Sequence, residues 1–504
     1  MKGGIDMAKK FYLGLDQGTT STTALLLDSK WSVAARGNIE HKQHYPKPGW
    51  IEHDPMEIWR CILEAIQVAM NEAGARPEEI ACIGLDNQGE TVVVWDKLTG
   101  VPIYNAIVWQ DRRTSRYADS ITEKYGELIR EKTGLMIDSY FSATKLKWIL
   151  DNVPGAREKA REGRIIAGTM DTWMIWKMTH GQVHITDYST ASRTMLLNIH
   201  TGQWDNEILD ILEIDRRILP EICDSSMIYG YTDPLDFFGA KIPISGSIVD
   251  QQAALFGQAC YAPGSIKTTY GTGCFMLMNT GDKPVYSKHG LLTTVAWGLK
   301  GKMTFALDGG IYISGAATTW LRDGLKIIES PSQTEEMAVQ ANGNGGVYFV
   351  PAFAGLAAPH WDSYARGMMI GITGGTTREQ IVRATLEATA YQVKDNLDVM
   401  NMDSSIPIKT MRVDGGSVVN NFLMQFQADI LGIPVDIPVI TETTALGAAY
   451  LAALGIGEFG SIHDIAENWK LSKTFEPKMS PDERSTLLYN WHRAVERSKN
   501  WAQD

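Results

Sequence analysis

Hydrophobic runs of strand length flank a small polar turn at two places in this chain. The first copy spans 11–28 around the turn Asp-Gln-Gly-Thr-Thr-Ser at 16–21, and the second spans 266–278 around the turn Gly-Thr-Gly at 271–273. Two short runs joined by a few glycine and threonine residues are typical of a β-hairpin. The pattern therefore predicts one hairpin of the same design in each half of the chain.

Helical patterns lie between and after these hairpins. Asp54 suits an N-cap and Pro55 the first position of a helix, because proline has no N–H to lose there. Later, the glycine-rich segment 414–417 leads into an amphipathic helix through 422–430, and such an entry brings backbone N–H groups towards a ligand. Strands that alternate with helices predict an α/β fold.

The length of the chain predicts more than one domain. Its 504 residues exceed what one hydrophobic core usually organises. We expect an N-terminal domain over 1–254 and a C-terminal domain over 255–504, with the boundary just before the second hairpin. A cleft between the two is then available for a ligand.

Charge and hydropathy argue against two classes of partner. Lys and Arg number 47 against 59 Asp and Glu, and a net charge of -12 opposes binding to nucleic acid or anionic lipid. No segment reaches the roughly 18 uncharged apolar residues that a membrane span needs. The longest candidate, 445–457, is interrupted by glycine and predicts a buried helix.

Cysteine usage favours a cytoplasmic protein. The five cysteines lie far apart and form no C-x-x-C pair, so neither a zinc site nor a disulfide framework is indicated. The first ten residues lack the apolar segment of a secretory signal. Whether the protein forms a homo-oligomer stays open at this point.

The two turns suit phosphoryl transfer. That reaction needs hydrogen-bond donors around the phosphates, a metal ion and a group that orients the attacking hydroxyl. Glycines let the backbone approach phosphate oxygens, and Asp16 can hold Mg²⁺. Neither a Walker A loop nor a G-x-G-x-x-G fingerprint occurs in the chain. One such turn alone would often be a plain hairpin, whereas two copies favour the functional interpretation. The turns also supply side-chain hydroxyls, from Thr19, Thr20, Ser21 and Thr272.

Motifs along most of the chain resemble the FGGY family of carbohydrate kinases. The resemblance implies two ribonuclease-H-like domains of the actin/hexokinase type around a central cleft. It also implies ATP-dependent phosphorylation of a terminal hydroxyl of a small polyol such as glycerol, with ATP and Mg²⁺ required. The segments that carry it are 14–21, 48–55, 105–110, 140–146, 250–257, 270–275, 367–387, 414–416 and 441–447.

The resemblance also assigns roles to individual residues. Asp250 matches the general base that accepts the hydroxyl proton. A polyol offers hydroxyls to carboxylates and C–H faces to aromatic rings, and the matching pocket residues are Glu90, Trp109, Tyr140, Asp250, Gln251 and Phe275. The positions that match nucleotide contacts are Thr19, Thr20, Ser21, Thr272, Gly315, Gly416 and Asn420.

One position departs from the pattern of the family members that phosphorylate glycerol. Those members usually carry arginine where this chain has Gly89, in the run 87–90. A hydrogen bond from a charged donor is worth about 1.5 to 3 kcal/mol. Without that side chain we expect extra room, and Asp86 could accept hydrogen bonds from further hydroxyls.

Three alternatives follow. The protein phosphorylates a longer polyol or a ketose, such as a tetritol, pentitol or ketopentose, or it phosphorylates glycerol through a compensating contact elsewhere. The third alternative is a non-catalytic ATP-binding relative of the same fold. It is suggested because Thr23 and Thr319 also depart from residues that are common in the family. Measured phosphorylation of any polyol would eliminate the third.

Overall fold

The computed structural model describes residues 10–502. The interpretation of the first ten residues therefore lies almost entirely outside the described range, as do the outer ends of both predicted domains. Two large mixed β-sheets form the centres of the two halves.

The first half runs to residue 257. Its helices and strands are β1 Phe11–Gln17, β2 Ser21–Asp28, β3 Val33–Glu40, β4 Glu52–His53, α1 Pro55–Ala73, β5 Ile80–Asn87, β6 Val92–Asp96, β7 Ala106–Ile107, α2 Ser115–Thr133, α3 Ser142–Asn152, α4 Ala156–Arg161, β8 Ile165–Thr169, α5 Met170–Met178, β9 Ile185–Asp187, α6 Tyr188–Ser192, β10 Leu197–Asn198, β11 Gln203–Trp204, α7 Asn206–Leu212, β12 Glu221–Cys223, β13 Ser226–Tyr231, β14 Pro243–Val249 and α8 Asp250–Gly257.

The second half follows the same plan. Its helices and strands are β15 Ile266–Tyr270, β16 Cys274–Gly281, β17 Leu292–Leu299, β18 Lys302–Ile311, α9 Gly315–Asp323, α10 Gln333–Gln340, β19 Tyr348–Val350, β20 Met368–Ile370, α11 Arg378–Ser404, β21 Met411–Asp414, α12 Asn421–Leu431, β22 Val435–Pro438, α13 Thr443–Gly455, α14 Ile462–Ala466, β23 Leu471–Phe475 and α15 Pro481–Ser498.

The two central sheets share one topology. The first has the order β13-β14-β5-β1-β2-β3, and the second has the order β17-β18-β16-β15-β21-β22-β23. In the first, β1 pairs antiparallel with β2 and parallel with β5. In the second, β15 pairs antiparallel with β16 and parallel with β21. The two predicted hairpins and the α/β class with duplicated ribonuclease-H-like halves are confirmed.

Local signals set the ends of two helices near the cleft. The Asp54 carboxylate accepts a hydrogen bond of 2.8 Å from the Met56 amide, so it caps α1 as predicted. The Asn420 side chain accepts one of 2.9 Å from the Leu423 amide, which starts α12 directly after the glycine-rich segment. The segment and its helix are therefore held in one fixed orientation.

Two helices separate the sheets, and each lies on the sheet of the other half. Helix α13 covers β1, β5 and β14, whereas α8 contacts β15 and β16. Glycines on the first sheet allow the close approach: a Cβ at Gly14 would lie 2.1 Å from the Ala445 carbonyl oxygen, and one at Gly84 would lie 1.9 Å from that of Ala448. The prediction of a buried helix over 445–457 is confirmed by α13. The proposed boundary at 254/255 stays a prediction.

Helices α8 and α13 cross each other at paired glycines. A Cβ at Gly257 would lie 2.0 Å from the Thr443 carbonyl oxygen, and a Cβ at Gly447 would lie 2.0 Å from that of Ala253. The helix backbones therefore touch directly at the centre of the molecule. No helix within residues 10–502 is both long and apolar enough to cross a membrane.

Candidate active site

A cavity of about 590 Å³ lies between the two halves. Three of the predicted polyol residues line it: Trp109 and Tyr140 from the first half and Phe275 from the second. The rings of Trp109 and Tyr140 meet edge to face with centroids 5.6 Å apart. The structure thus brings these three aromatic side chains together on the walls of one cavity.

Glu90 and Asp250 belong to the same region but do not line this cavity. The Glu90 side chain is buried, and burial raises its pKa to about 7 although the neighbouring Arg193 opposes the shift. The Asp250 charge raises the pKa of both Glu90 and Tyr140. The electrostatic influence of Asp250 therefore reaches the polyol residues.

Asp250 is held at the junction of a strand and a helix, since β14 ends at Val249 and α8 begins at Asp250. Its carboxylate accepts hydrogen bonds from the Gln251 amide at 2.7 Å and from the Gln251 side chain at 3.3 Å. Burial raises the pKa of Asp250, while these bonds and the charge of Lys267 lower it. Lys267 is itself buried and donates to the Gln251 side-chain oxygen at 2.5 Å. Gln251 therefore orients the predicted base and is anchored by Lys267.

Asp16 lies near the end of β1, at the same edge of the first sheet as Asp250. Burial and then the Asp250 charge raise the pKa of Asp16 to about 6. Carboxylate oxygens are the ligands that Mg²⁺ prefers, and a divalent cation would relieve the repulsion between these like charges, so the donor set fits Mg²⁺. Within residues 10–502 no three acidic, histidine or cysteine side chains converge to hold a metal. Asp16 would therefore share the ion with phosphate oxygens and water.

The expectation that Asp86 accepts hydrogen bonds from further hydroxyls stays a prediction. Asp86 lies opposite Asp16 across the parallel pair β1 and β5, it is fully buried, and it lines neither the 590 Å³ cavity nor the second one described below. Burial, then the charges of Asp16 and Asp250, raise its pKa well above the ordinary value. Asp86 therefore forms a carboxylate pair with Asp16.

A second cavity of about 510 Å³ lies in the second half. It is lined by all four predicted nucleotide residues of that half: Thr272, Gly315, Gly416 and Asn420. A Cβ at Gly315 would lie 2.6 Å from the Gly271 carbonyl oxygen, so only glycine lets α9 begin this close to the turn. The four residues come from three separate segments and line the same cavity.

The remaining predicted nucleotide residues form the turn between β1 and β2. Thr19, Thr20 and Ser21 do not line the second cavity. Thr19 accepts a hydrogen bond of 2.9 Å from the Trp109 indole, so this turn adjoins the polyol side of the cleft. The structure therefore keeps the two groups of predicted nucleotide residues on different halves.

Sequence reasoning missed residues in both cavities. Helix α10 contributes Thr334 and Glu335 to the second cavity, and Asn420 donates to the Thr334 hydroxyl at 3.1 Å. Arg193 and Asp308 line the first cavity, one from each half. Arg193 stands in the run Ser-Arg-Thr-Met-Leu-Leu at 192–197, and a lone charge beside an apolar run is a signal that could have found it.

The extra room expected beside Gly89 is also absent. A Cβ at Gly89 would lie 2.8 Å from a methyl carbon of Val249 and 3.8 Å from Cγ of Arg193. Val249 is β-branched and buried, so it cannot move aside at little cost. The space that a side chain at 89 would enter is already filled.

Comparisons with known proteins agree with this geometry. Models of the N-terminal and C-terminal domains of the FGGY family of carbohydrate kinases match residues 11–257 and 266–456. Glycerol kinase 2 of Thermotoga maritima is 60% identical over 98% of this chain and 99% of its own length. A glycerol kinase of Caldanaerobacter subterraneus is 57% identical over 98% of this chain and all of its own.

A solved structure extends the similarity to three dimensions. The crystal structure of Plasmodium falciparum glycerol kinase with ADP superposes with a TM-score of 0.90. It is 37% identical to this chain and covers 97% of it, with 98% of its own length matched. The similarity therefore covers both halves and the cleft between them.

Proposed function

The chain belongs to the FGGY family of carbohydrate kinases, and on that premise we propose that it transfers the γ-phosphoryl group of ATP to a terminal hydroxyl of glycerol. The products are glycerol 3-phosphate and ADP. One observation carries the proposal: Asp250 and Asp16, which suits a magnesium ion, lie at the same edge of the first sheet, and the Asp250 charge also acts on the polyol residues Glu90 and Tyr140. A base in that position can face a hydroxyl and a phosphate at the same time.

The chain's own residues account for the proton and the positioning. The attacking oxygen of glycerol forms a bond to the γ-phosphorus, the bond from that phosphorus to the β-γ bridging oxygen breaks, and the hydroxyl proton passes to Asp250. Gln251 fixes the carboxylate of Asp250 for this transfer. Trp109, Tyr140 and Phe275 enclose the carbon skeleton and exclude water.

The nucleotide would lie across the cleft from the polyol. The second cavity suits the nucleoside, with Asn420 and Gly416 on its wall. The turns at 18–21 and 271–273 offer backbone N–H groups and hydroxyls to the phosphates. Asp16 would hold the Mg²⁺ that offsets phosphate charge.

An assay of ATP consumption with glycerol tests the proposal. Wild-type protein should turn over ATP only when glycerol is present. Asp250→Asn keeps the size of the side chain but removes the base, and it should lower kcat by a factor of about 100 or more. Glycerol-independent ATP hydrolysis, or unchanged kcat in Asp250→Asn, would contradict the proposal. Binding of ADP to Asp250→Asn, measured by calorimetry, controls for folding.

A longer polyol or ketose remains the second candidate because of the size of the first cavity. At about 590 Å³ it extends past Tyr140 to Met136, Ile137 and Trp361, further than a three-carbon polyol needs. The same assay run with tetritols, pentitols and ketopentoses decides between the candidates by kcat/KM. Phosphorylation of any of these compounds excludes the non-catalytic alternative.

The proposed setting is the cytoplasm, where ATP is available. The five cysteines are free, in keeping with a reducing compartment. A homo-oligomer stays a prediction, which light scattering of the purified protein would test.

A further inference from the structure

Arg193 bridges two buried carboxylates across the cleft. It follows α6, and its side chain is 4% exposed. Its Nε donates to Oε1 of Glu90 at 2.6 Å, and its Nη1 lies 3.1 Å from Oδ2 of Asp308. Glu90 belongs to the first half and Asp308 to β18 of the second, so the guanidinium is held from both sides.

The donors of Arg193 are not all used. A guanidinium carries five N–H groups, and buried donors are nearly always satisfied. Nη1 forms an ion pair with Asp308 at 3.1 Å, but among the described residues it has no partner in the orientation of a good hydrogen bond, so this donor is incompletely satisfied. Because Arg193 lines the first cavity, the missing acceptor is expected from a molecule bound there.

The position of the guanidinium is fixed by its surroundings. Its central carbon lies 5.8 Å from the ring centre of Tyr140 and 5.7 Å from that of Phe141. Its stem passes beside Gly89, where a Cβ would lie 3.8 Å from Cγ of Arg193. Because residue 89 has no side chain, nothing at that position displaces the side chain of Arg193.

We propose that Arg193 is a specificity-determining residue that donates a hydrogen bond to a polyol hydroxyl other than the one phosphorylated. This inference rests on the proposed function. The cavity wall presents a charged donor that cannot be satisfied by a C–H group. A polyol that lacks the matching hydroxyl leaves that donor unpaired, which penalises its binding.

Hydroxyl deletion in the substrate tests the proposal. The Kd of glycerol, 1,2-propanediol and 1,3-propanediol is measured by calorimetry for wild type and Arg193→Gln, together with kcat and KM. We expect Arg193→Gln to bind glycerol at least about tenfold more weakly. We also expect the preference for glycerol over one of the two diols to fall by a similar factor.

A purely structural role predicts a different result. If Arg193→Gln binds glycerol as tightly as wild type, or weakens glycerol and both diols by the same factor, the proposal is wrong. Arg193→Lys keeps the charge between Glu90 and Asp308 but loses the forked donors, so it provides a second variant if Arg193→Gln does not fold. It should show the same loss of discrimination.

Arg113→Lys is the matched control. Arg113 is also buried between two carboxylates, 2.8 Å from both Glu52 and Asp111, but it lines neither cavity. We expect a loss of thermal stability with the glycerol Kd and the diol preference retained. Failure of the wild-type protein to phosphorylate glycerol would count against the proposed function alone. The same binding and kinetic measurements are then made with the preferred polyol and its deoxy analogues.

Discussion

Trp109 donates its indole N–H to the hydroxyl of Thr19 at 2.9 Å. This bond joins an aromatic wall of the polyol cavity to the turn that is proposed to hold phosphate. The two proposed substrate sites are therefore joined by side chains in direct contact.

A double-mutant cycle on this contact should reveal the coupling. Trp109→Phe keeps the aromatic wall but removes the donor, and Thr19→Val removes the acceptor. Because a neutral hydrogen bond contributes about 1 kcal/mol, we expect a coupling of that size in kcat/KM for glycerol. Strictly additive effects of the two changes would show that the bond does not matter for turnover.

Substitution of Gly89 should disturb the site. Because a Cβ there would lie 2.8 Å from a methyl carbon of Val249, Gly89→Ala is expected to cost about 1 to 3 kcal/mol of stability. Gly89→Arg should weaken glycerol binding, since its side chain would compete with Arg193. Urea unfolding and steady-state kinetics measure the two effects. In a Val249→Ala background the cost of Gly89→Ala should shrink, and an unchanged cost would rule out this clash.

The crossing of α8 and α13 should tolerate no side chain. Gly447→Ala would place its Cβ 2.0 Å from the Ala253 carbonyl oxygen, so we expect a loss of about 3 kcal/mol or more. Thermal unfolding measures this loss. Gly374→Ala is the control, because no atom lies within 4 Å of a Cβ built there. Equal midpoints for the two variants would contradict the close contact.

Buried His53 should make the fold sensitive to acid. Burial and then the neighbouring His41 lower the pKa of His53 to about 3, against about 6.5 for an exposed histidine. Between these values the unfolded chain binds the extra proton, so this contribution to stability is complete above pH 6.5 and is lost as the pH falls towards 3.

Replacement of His53 should therefore flatten the pH profile. We expect the free energy of unfolding of His53→Asn to fall less steeply between pH 6.5 and 5 than that of wild type, by up to about 1.4 kcal/mol per pH unit. Urea unfolding at several pH values measures the slope. Exposed His463 is the control, and His463→Asn should keep the wild-type slope. An unchanged slope in His53→Asn would mean that His53 is protonated in the folded state.

Local patterns predicted local features of this protein. The hairpins around 16–21 and 271–273 depend on turn residues that act over a few positions, and the cap at Asp54 acts on the Met56 amide two residues away. The predicted nucleotide residues of the second half do meet in one cavity. The turns and helix starts that carry these residues are determined by residues close to them in the sequence.

Contacts between distant segments could not be predicted in the same way. Glu90, Arg193 and Asp308 are separated by about a hundred residues each, and only the topology of the two sheets brings them together. The pairing of Asp86 with Asp16 depends likewise on the parallel register of β1 and β5. The sequence around each residue does not indicate which distant residue it will contact.

The glycine crossing between the two sheets has a mechanical consequence. Where Gly257 and Gly447 lie, the backbones of the two helices meet without a side chain between them. Because α8 and α13 lie between the two sheets, a rotation of one half against the other would move at least one of these helices. The two halves that enclose the cleft are thus held, at this crossing, at the smallest separation that two helix backbones allow.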